Sequence, residues 1–184
     1  IDMKNIVVHA PYIINLANEN NLDFGINFLK QEIKRCEELG IKKMVLHPGS
    51  HVNLGVEKGI ENIAKGINMA FTNLGKDNNV IILLETMAGK GTEVGSKLEE
   101  IKEIIDKIED KDHIGVCLDT CHLSDGGYDI ENFDAFLDEF NNLIGINKIG
   151  CVHVNDSKNI KGSHKDRHEN FGFGNVGYET LINI

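Results

Sequence analysis

The chain has 184 residues, 41% of them hydrophobic and 26% charged, with a formal net charge of −10. This is enough chain for one domain with a sizeable core, in the composition range of globular proteins. Composition argues against three classes: a membrane span of roughly 20 apolar residues, a protein coating nucleic acid through a basic surface, and a disulfide scaffold, because Cys36, Cys117, Cys121 and Cys151 sit inside helical or strand patterns and read as reduced thiols.

In chain order, five short apolar runs each end on a side chain able to bind a metal. Residues 5–8 lead to His9, 41–46 to His47, 80–84 to Glu85, 114–118 to Asp119 and 149–152 to His153. The intervals between these polar ends are 38, 38, 34 and 34 residues, each the length of one strand–loop–helix–turn unit.

The helices between the runs show as apolar stripes at helical spacing. Ile26, Leu29, Ile33 and Cys36 form the first, with Asp23 as the expected N-cap and Gly40 past its end. Ile60, Ile63, Ile67, Phe71 and Leu74 form the second, closed by Gly75. Leu98, Ile101, Ile105 and Ile108 form the third, with Ser96 as the expected cap and Glu103/Lys107 as an i,i+4 pair. Phe133, Phe136, Leu137, Phe140 and Leu143 form the fourth, and a fifth helix starts near Val176. Such stripes are core packing before they are binding faces.

Alternating strands and helices imply a parallel sheet, doubly wound or closed into a barrel. An open sheet would spread five strand tips over roughly 20 Å, whereas a (β/α)8 barrel aims them at one centre. Five polar tips out of five favour the barrel. Period two then puts Val7, Val45, Leu83, Cys117 and Cys151 on its inward face, one layer beneath the tips. About five βα units of a TIM (β/α)8 barrel are visible. The expected organisation is a single incomplete barrel domain over residues 1–184, lacking N-terminal βα units and the last strand.

The stretch 114–122, IGVCLDTCH, is the most informative. Its apolar run ends on Asp119, and after a turn His122 follows on the loop. A carboxylate beside an imidazole suits zinc, iron or manganese rather than magnesium or calcium. It also fits a polar strand end with a hydrogen-bonded histidine. Cys117 and Cys121 flank Asp119, but without a C-x-x-C pair they read as buried side chains. His51, His113 and His164 do not sit at strand tips; His51 fits a place behind His47, and His164 lies in a basic loop.

The segments VVHAPYIINLAN, VLHPGSH, LLETMAGKG, GVCLDTCH, VHVNDSK and KDRHENFGFGNVG resemble, in order and nearly end to end, the motifs of the endonuclease IV family of apurinic/apyrimidinic endonucleases. The resemblance implies a TIM barrel carrying three Zn2+ ions, with Mn2+ or Fe2+ as substitutes, in a DNA-repair enzyme of base excision repair. It implies hydrolysis of the phosphodiester 5′ to an abasic site by a metal-hydroxide mechanism, leaving a 3′-hydroxyl and a 5′-deoxyribose phosphate. Carried over by position, His9, His47 and Glu85 would hold the first metal. Glu85, the catalytic carboxylate, would bridge to a second held also by Asp119 and His153. His122, Asp166 and His168 would hold the third.

A bridging carboxylate can keep two cations close despite their repulsion, and three divalent ions would concentrate positive charge where phosphate must sit. The loop 157–168 adds Lys158, Lys161, Lys165 and Arg167 against Asp166, with Arg167 the expected phosphate contact. By resemblance Tyr12, Ile13 and Asn15 would meet the DNA, the first two wedging into the duplex as the abasic nucleotide flips out. The implied partner is double-stranded DNA containing abasic sites, bound by a monomeric full-length protein with no membrane association. The implied compartment is intracellular: cytoplasmic in a bacterium or archaeon, the nucleus or a DNA-containing organelle in a eukaryote. The alternative is a metal-dependent sugar isomerase or epimerase on a similar TIM barrel, against which His122, Asp166 and His168 argue as a third metal group.

Overall fold

All five apolar runs form strands: β1 (Val7–His9), β2 (Lys43–Leu46), β3 (Ile81–Glu85), β4 (Ile114–Asp119) and β5 (Ile149–His153). They pair in parallel in the order β1-β2-β3-β4-β5, in a computed structural model that describes residues 2–72 and 79–184. Strand order that follows chain order means each βα unit adds on the same side of the last. That is the winding of a barrel, whereas a doubly wound sheet reverses at a switch point.

Between the strands run α1 (Leu22–Leu39), α2 (Val56–Thr72), α3 (Leu98–Lys107), α4 (Thr120–Gly126) and α5 (Phe133–Leu143). The stripes at Ile26, Leu29, Ile33 and Cys36 and at Ile60, Ile63 and Ile67 are buried against Met44, Leu46, Ile82 and Leu84 of the sheet. Burying each large apolar side chain there contributes about 1.5–3 kcal/mol. Leu16, fully buried, fits a notch between Gly25 of α1 and Gly66 of α2, where an added Cβ would lie 2.9 and 3.1 Å from its methyls. Leu74 and Gly75, expected to close the second helix, lie outside the described residues.

Helix starts depart from expectation. A 3-10 turn, Glu19–Asn21, capped by Asn18, runs straight into α1, so Asn21 holds the N-cap position and Asp23 lies in the first turn. There its charge still favours the helix dipole. Helix α3 begins at Leu98 after Lys97, and the Leu98 N–H donates to the Tyr128 hydroxyl at 2.8 Å. A partner thirty residues away thus takes the role that the sequence assigns to Ser96. The C-cap holds as expected: Gly40 is left-handed, φ +71°, and its N–H returns to the last turn.

A smaller inward layer consists of Val45, Leu83 and Cys117, with Ile81 and Cys151 partly buried against it. Val7 does not join it. It is 36% exposed, because among the described residues β1 lies at the sheet edge with a strand neighbour on one side only. After β5 the chain makes a two-residue ribbon, β6 (Asp156–Ser157) paired antiparallel with β7 (His168–Glu169), and then α6 (Tyr178–Ile182). Helix α6 starts two residues after the expected Val176.

Candidate metal centre

The polar strand tips meet. Glu85, at the end of β3 and 1% exposed, is surrounded by imidazoles. Its Oε2 lies 3.0 Å from His9 Nε2 and 3.1 Å from His47 Nε2. Its Oε1 lies 3.0 Å from His153 Nδ1 and 3.4 Å from His122 Nδ1. Asp119, fully buried, lies 3.6 Å from His153 and 3.8 Å from His168, and Asp166 lies 3.1 Å from His122 Nε2 and 3.5 Å from His168.

Three sets built from imidazole and carboxylate alone, each with donor atoms within 4.8 Å of one another, follow among the described residues: His9, His47 and Glu85; Glu85, Asp119 and His153; His122, Asp166 and His168, while two further sets include cysteines, one of them Asp119, Cys121 and His168. Glu85 belongs to two of the first three, as a bridging ligand must. Among the described residues the ion-pair partners of Glu85 and Asp119 are all histidines. Buried carboxylates need cationic compensation, and imidazole with carboxylate is the donor set of zinc, iron and manganese. The residues fit such ions.

The titration behaviour reports the same crowding. Burial pushes the Glu85 carboxyl up, but hydrogen bonds from His153, His47 and His9 outweigh it and hold the group well below the usual carboxylate range. His153 is pushed up to about 12 by Asp119, Cys117 and Glu85. Burial lowers His122, yet Asp166, Asp119 and Glu85 raise it to about 9. Protons on these rings occupy the place that metal cations would take.

Neighbouring groups fix the rings. His9 Nδ1 faces its neighbour's carbonyl, Ala10 O, at 2.8 Å, and His122 Nδ1 faces Thr86 O at 2.8 Å. A carbonyl only accepts, so each Nδ1 carries the proton there and each Nε2 is turned toward the centre. The Thr86 hydroxyl accepts the Asp119 N–H at 3.0 Å, and Asn155 Nδ2 donates to Asp119 Oδ2 at 2.7 Å. His122 lies on α4, not on a loop: Asp119 is the N-cap of that helix, and its Oδ1 accepts the His122 N–H at 2.9 Å. The same carboxylate ends the strand, caps the helix and faces His153.

Asp125 and Asp156, both fully buried, hold the segment that brings in Asp166 and His168. Asp125 accepts from the Ser157 hydroxyl at 2.6 Å, Asn159 Nδ2 at 3.1 Å and the Asp166 N–H at 2.8 Å. Asp156 accepts backbone N–H groups from Gly172, Gly174 and Val176 at 2.9–3.1 Å. Neither residue, nor Thr86 or Asn155, stands out in the sequence. The S-D and N-D-S runs at 124–125 and 155–157 look like ordinary turn chemistry.

On the rim, Tyr12 is 89% and Ile13 55% exposed. They lie three and four residues past the end of β1, and Tyr12 lines a cavity of about 340 Å³ with Asn15, His47, Lys90, Glu93 and Asp166. The Arg167 guanidinium is exposed, with one bond to Asp166 O at 2.9 Å. Asn15 is engaged within the protein. Its Oδ1 accepts from Ala17 N at 3.2 Å and Ser50 N at 3.0 Å, and its Nδ2 donates to Ser50 O at 3.0 Å. It clamps the loop after β1 to the loop after β2, where only a glycine at 49 fits: φ is +114° and a Cβ would sit 2.3 Å from Asn15 Oδ1. His51 Nδ1 accepts the Gly55 N–H, His113 pairs with Asp110, and His164 Nδ1 contacts Ala88 O at 2.7 Å. Each has a local partner of its own.

The chain is similar to known proteins over nearly its whole length. A family model described as xylose isomerase-like TIM barrel matches residues 2–184. The chain belongs to that family. Within it, a Staphylococcus epidermidis protein named probable endonuclease 4 is 54% identical over 183 residues, 97% of this chain and 61% of the relative. The chain thus spans about three fifths of the length of the curated relatives it matches. The crystal structure of endonuclease IV from Thermus thermophilus matches with a TM-score of 0.82 and 31% identity, over 95% of this chain and 61% of that one. A D-tagatose 3-epimerase-like protein matches with a TM-score of 0.77 and 26% identity, over 96% and 64%. The five parallel strands are therefore part of a TIM barrel, with the polar cluster at the carboxyl ends of its strands, where sites in this fold lie.

Proposed function

We propose that this chain carries the metal centre of an apurinic/apyrimidinic endonuclease of the endonuclease IV type, acting inside the cell on double-stranded DNA containing abasic sites. The observation that carries the reading is the third donor set, His122, Asp166 and His168, beside the two that share Glu85. A sugar isomerase or epimerase works with one or two divalent ions, and a third set with its own buried support, Asp125, has no use there.

His9, His47 and Glu85 would hold one ion, Glu85, Asp119 and His153 a second, and His122, Asp166 and His168 a third, with zinc favoured by the donor set. Bound there, divalent ions supply Lewis acidity toward phosphoryl oxygens and lower the pKa of water. Glu85 holds the first two groups together through its two oxygens. Asp119, braced by Thr86 and Asn155, orients His122 through the start of α4. Arg167 and Lys158 set the phosphate backbone against the site. Tyr12 and Ile13 would fill the gap left in the stack as the abasic nucleotide turns out, at a cost of a few kcal/mol that is least where no base remains. In the reaction water adds to phosphorus, the P–O3′ bond breaks, and the proton ends on the departing 3′-oxygen.

The test is a duplex with a single abasic analogue, incubated with the protein produced from its complete reading frame, before and after chelation. One cut 5′ to the analogue, leaving a 3′-hydroxyl and lost on chelation, is the expected result. An uncut duplex together with metal-dependent interconversion of ketoses would replace this reading with the epimerase one.

A further inference from the structure

Directly beneath the cluster lies a second kind of donor set, built from sulfur. Cys117 on β4 and Cys151 on β5 are partners in register across the parallel pair. Both face the barrel interior, in the layer with Val45 and Leu83. His153 is two residues beyond Cys151 on the same strand and so shares its face. The two Sγ atoms and a ring nitrogen of His153 lie within 4.8 Å of one another. Cys117 is fully buried, with a long contact to Leu118 O at 3.8 Å and a side-chain hydrogen bond to the His153 ring. Cys151 is half-buried, which leaves one side of the set open.

We propose that Cys117, Cys151 and His153 form a binding site for a soft monovalent cation, copper(I). Two sulfurs and an imidazole without a carboxylate are the donors that such an ion selects, and three ligands satisfy it. Hard ions such as magnesium and calcium gain nothing from them, and zinc, which also takes thiolate, prefers four ligands where this set offers three. A thiol that coordinates such an ion binds as thiolate, and its proton leaves to solvent.

His153 belongs to both sets, and its Nδ1 faces Glu85 at 3.0 Å and Asp119 at 3.6 Å, so a sulfur-bound ion that takes this nitrogen competes with the second metal group. Copper(I) in the sulfur set would therefore draw away a ligand of the second metal group, a consequence that rests on the endonuclease reading. The thiol layer would make the centre open to poisoning by copper(I).

The experiment adds copper(I) anaerobically to the complete protein and reads X-ray absorption at the copper edge. One ion with two sulfur and one nitrogen neighbours is expected. Cys151→Ser, at a half-buried position, should fold by circular dichroism and lose a sulfur neighbour. Its copper affinity should fall by more than the 10–100-fold typical of changes around a ligand. Cys121→Ser should behave as the wild type. One sulfur neighbour or none in the wild type, unchanged binding by Cys151→Ser, or equal loss in Cys121→Ser would each overturn the proposal. A copper site with two sulfurs in a protein that never cuts abasic DNA would leave this site standing and remove the endonuclease reading alone.

Discussion

Asp125 Oδ2 accepts the backbone N–H of Asp166 at 2.8 Å, so a carboxylate at the end of α4 fixes a segment 41 residues further along. The same residue accepts from Ser157 and Asn159, and its burial leaves those donors no water to turn to. Asp125→Asn swaps one acceptor for a donor. It should lower stability by about 1–3 kcal/mol and reduce bound metal by one ion per chain, as Asp166 and His168 lose their placement. Denaturant unfolding and elemental analysis on one preparation check this. Unchanged stoichiometry would make Asp125 a folding residue only.

Glu85→Gln conserves volume while removing the shared charge. The fold should survive, and abasic-site cleavage should fall by about 100-fold or more, since altering groups that only orient ligands already costs 10–100-fold. Single-turnover cleavage is the measurement. Near-normal rates would show that Glu85 does not bridge.

How far this site can be read from the sequence depends on the range of each interaction. The stripes of α1 and α2 are local periodicities, and the strand tips are apolar runs ending on one polar residue, so both are visible without the fold. Thr86, Asp125 and Asn155 act through partners 32 to 41 residues away, and nothing in their own neighbourhood marks them. The sequence points to a loop at His122 because TCHLSDGG lacks a long apolar stripe, yet Asp119 caps a helix of seven residues there. Val7 fails for the opposite reason: its alternation is right, but burial depends on a neighbour that β1 lacks on one side.

Arg167 is exposed and free to reorient beyond its bond to Asp166 O. Arg167→Ala should weaken binding to abasic and intact duplex alike. It should lower the slope of log K against log salt by about 0.9, one phosphate contact. Fluorescence anisotropy over a salt series measures the slope, and an unchanged value would return Arg167 to the solvated surface.

Metal uptake should release protons. His153 and His122, raised to about 12 and about 9, carry protons at neutral pH without metal, and ligation requires the free ring. Zinc affinity should therefore rise with pH from 6 through 9 (roughly the range in which a raised imidazole is still protonated) and fall on acidification. Calorimetry in buffers of different ionisation enthalpy counts the protons. Affinity independent of pH would mean that metal binds away from these rings.

Each of the three donor sets should hold an ion, with Glu85 joining two of them. Anomalous diffraction at the zinc edge, on crystals of the complete protein loaded with zinc, tests it most directly. Three peaks are expected: between His9, His47 and Glu85; between Glu85, Asp119 and His153; and between His122, Asp166 and His168. A single peak with Glu85 bound on one side only, or no peak at His122, Asp166 and His168, would contradict it.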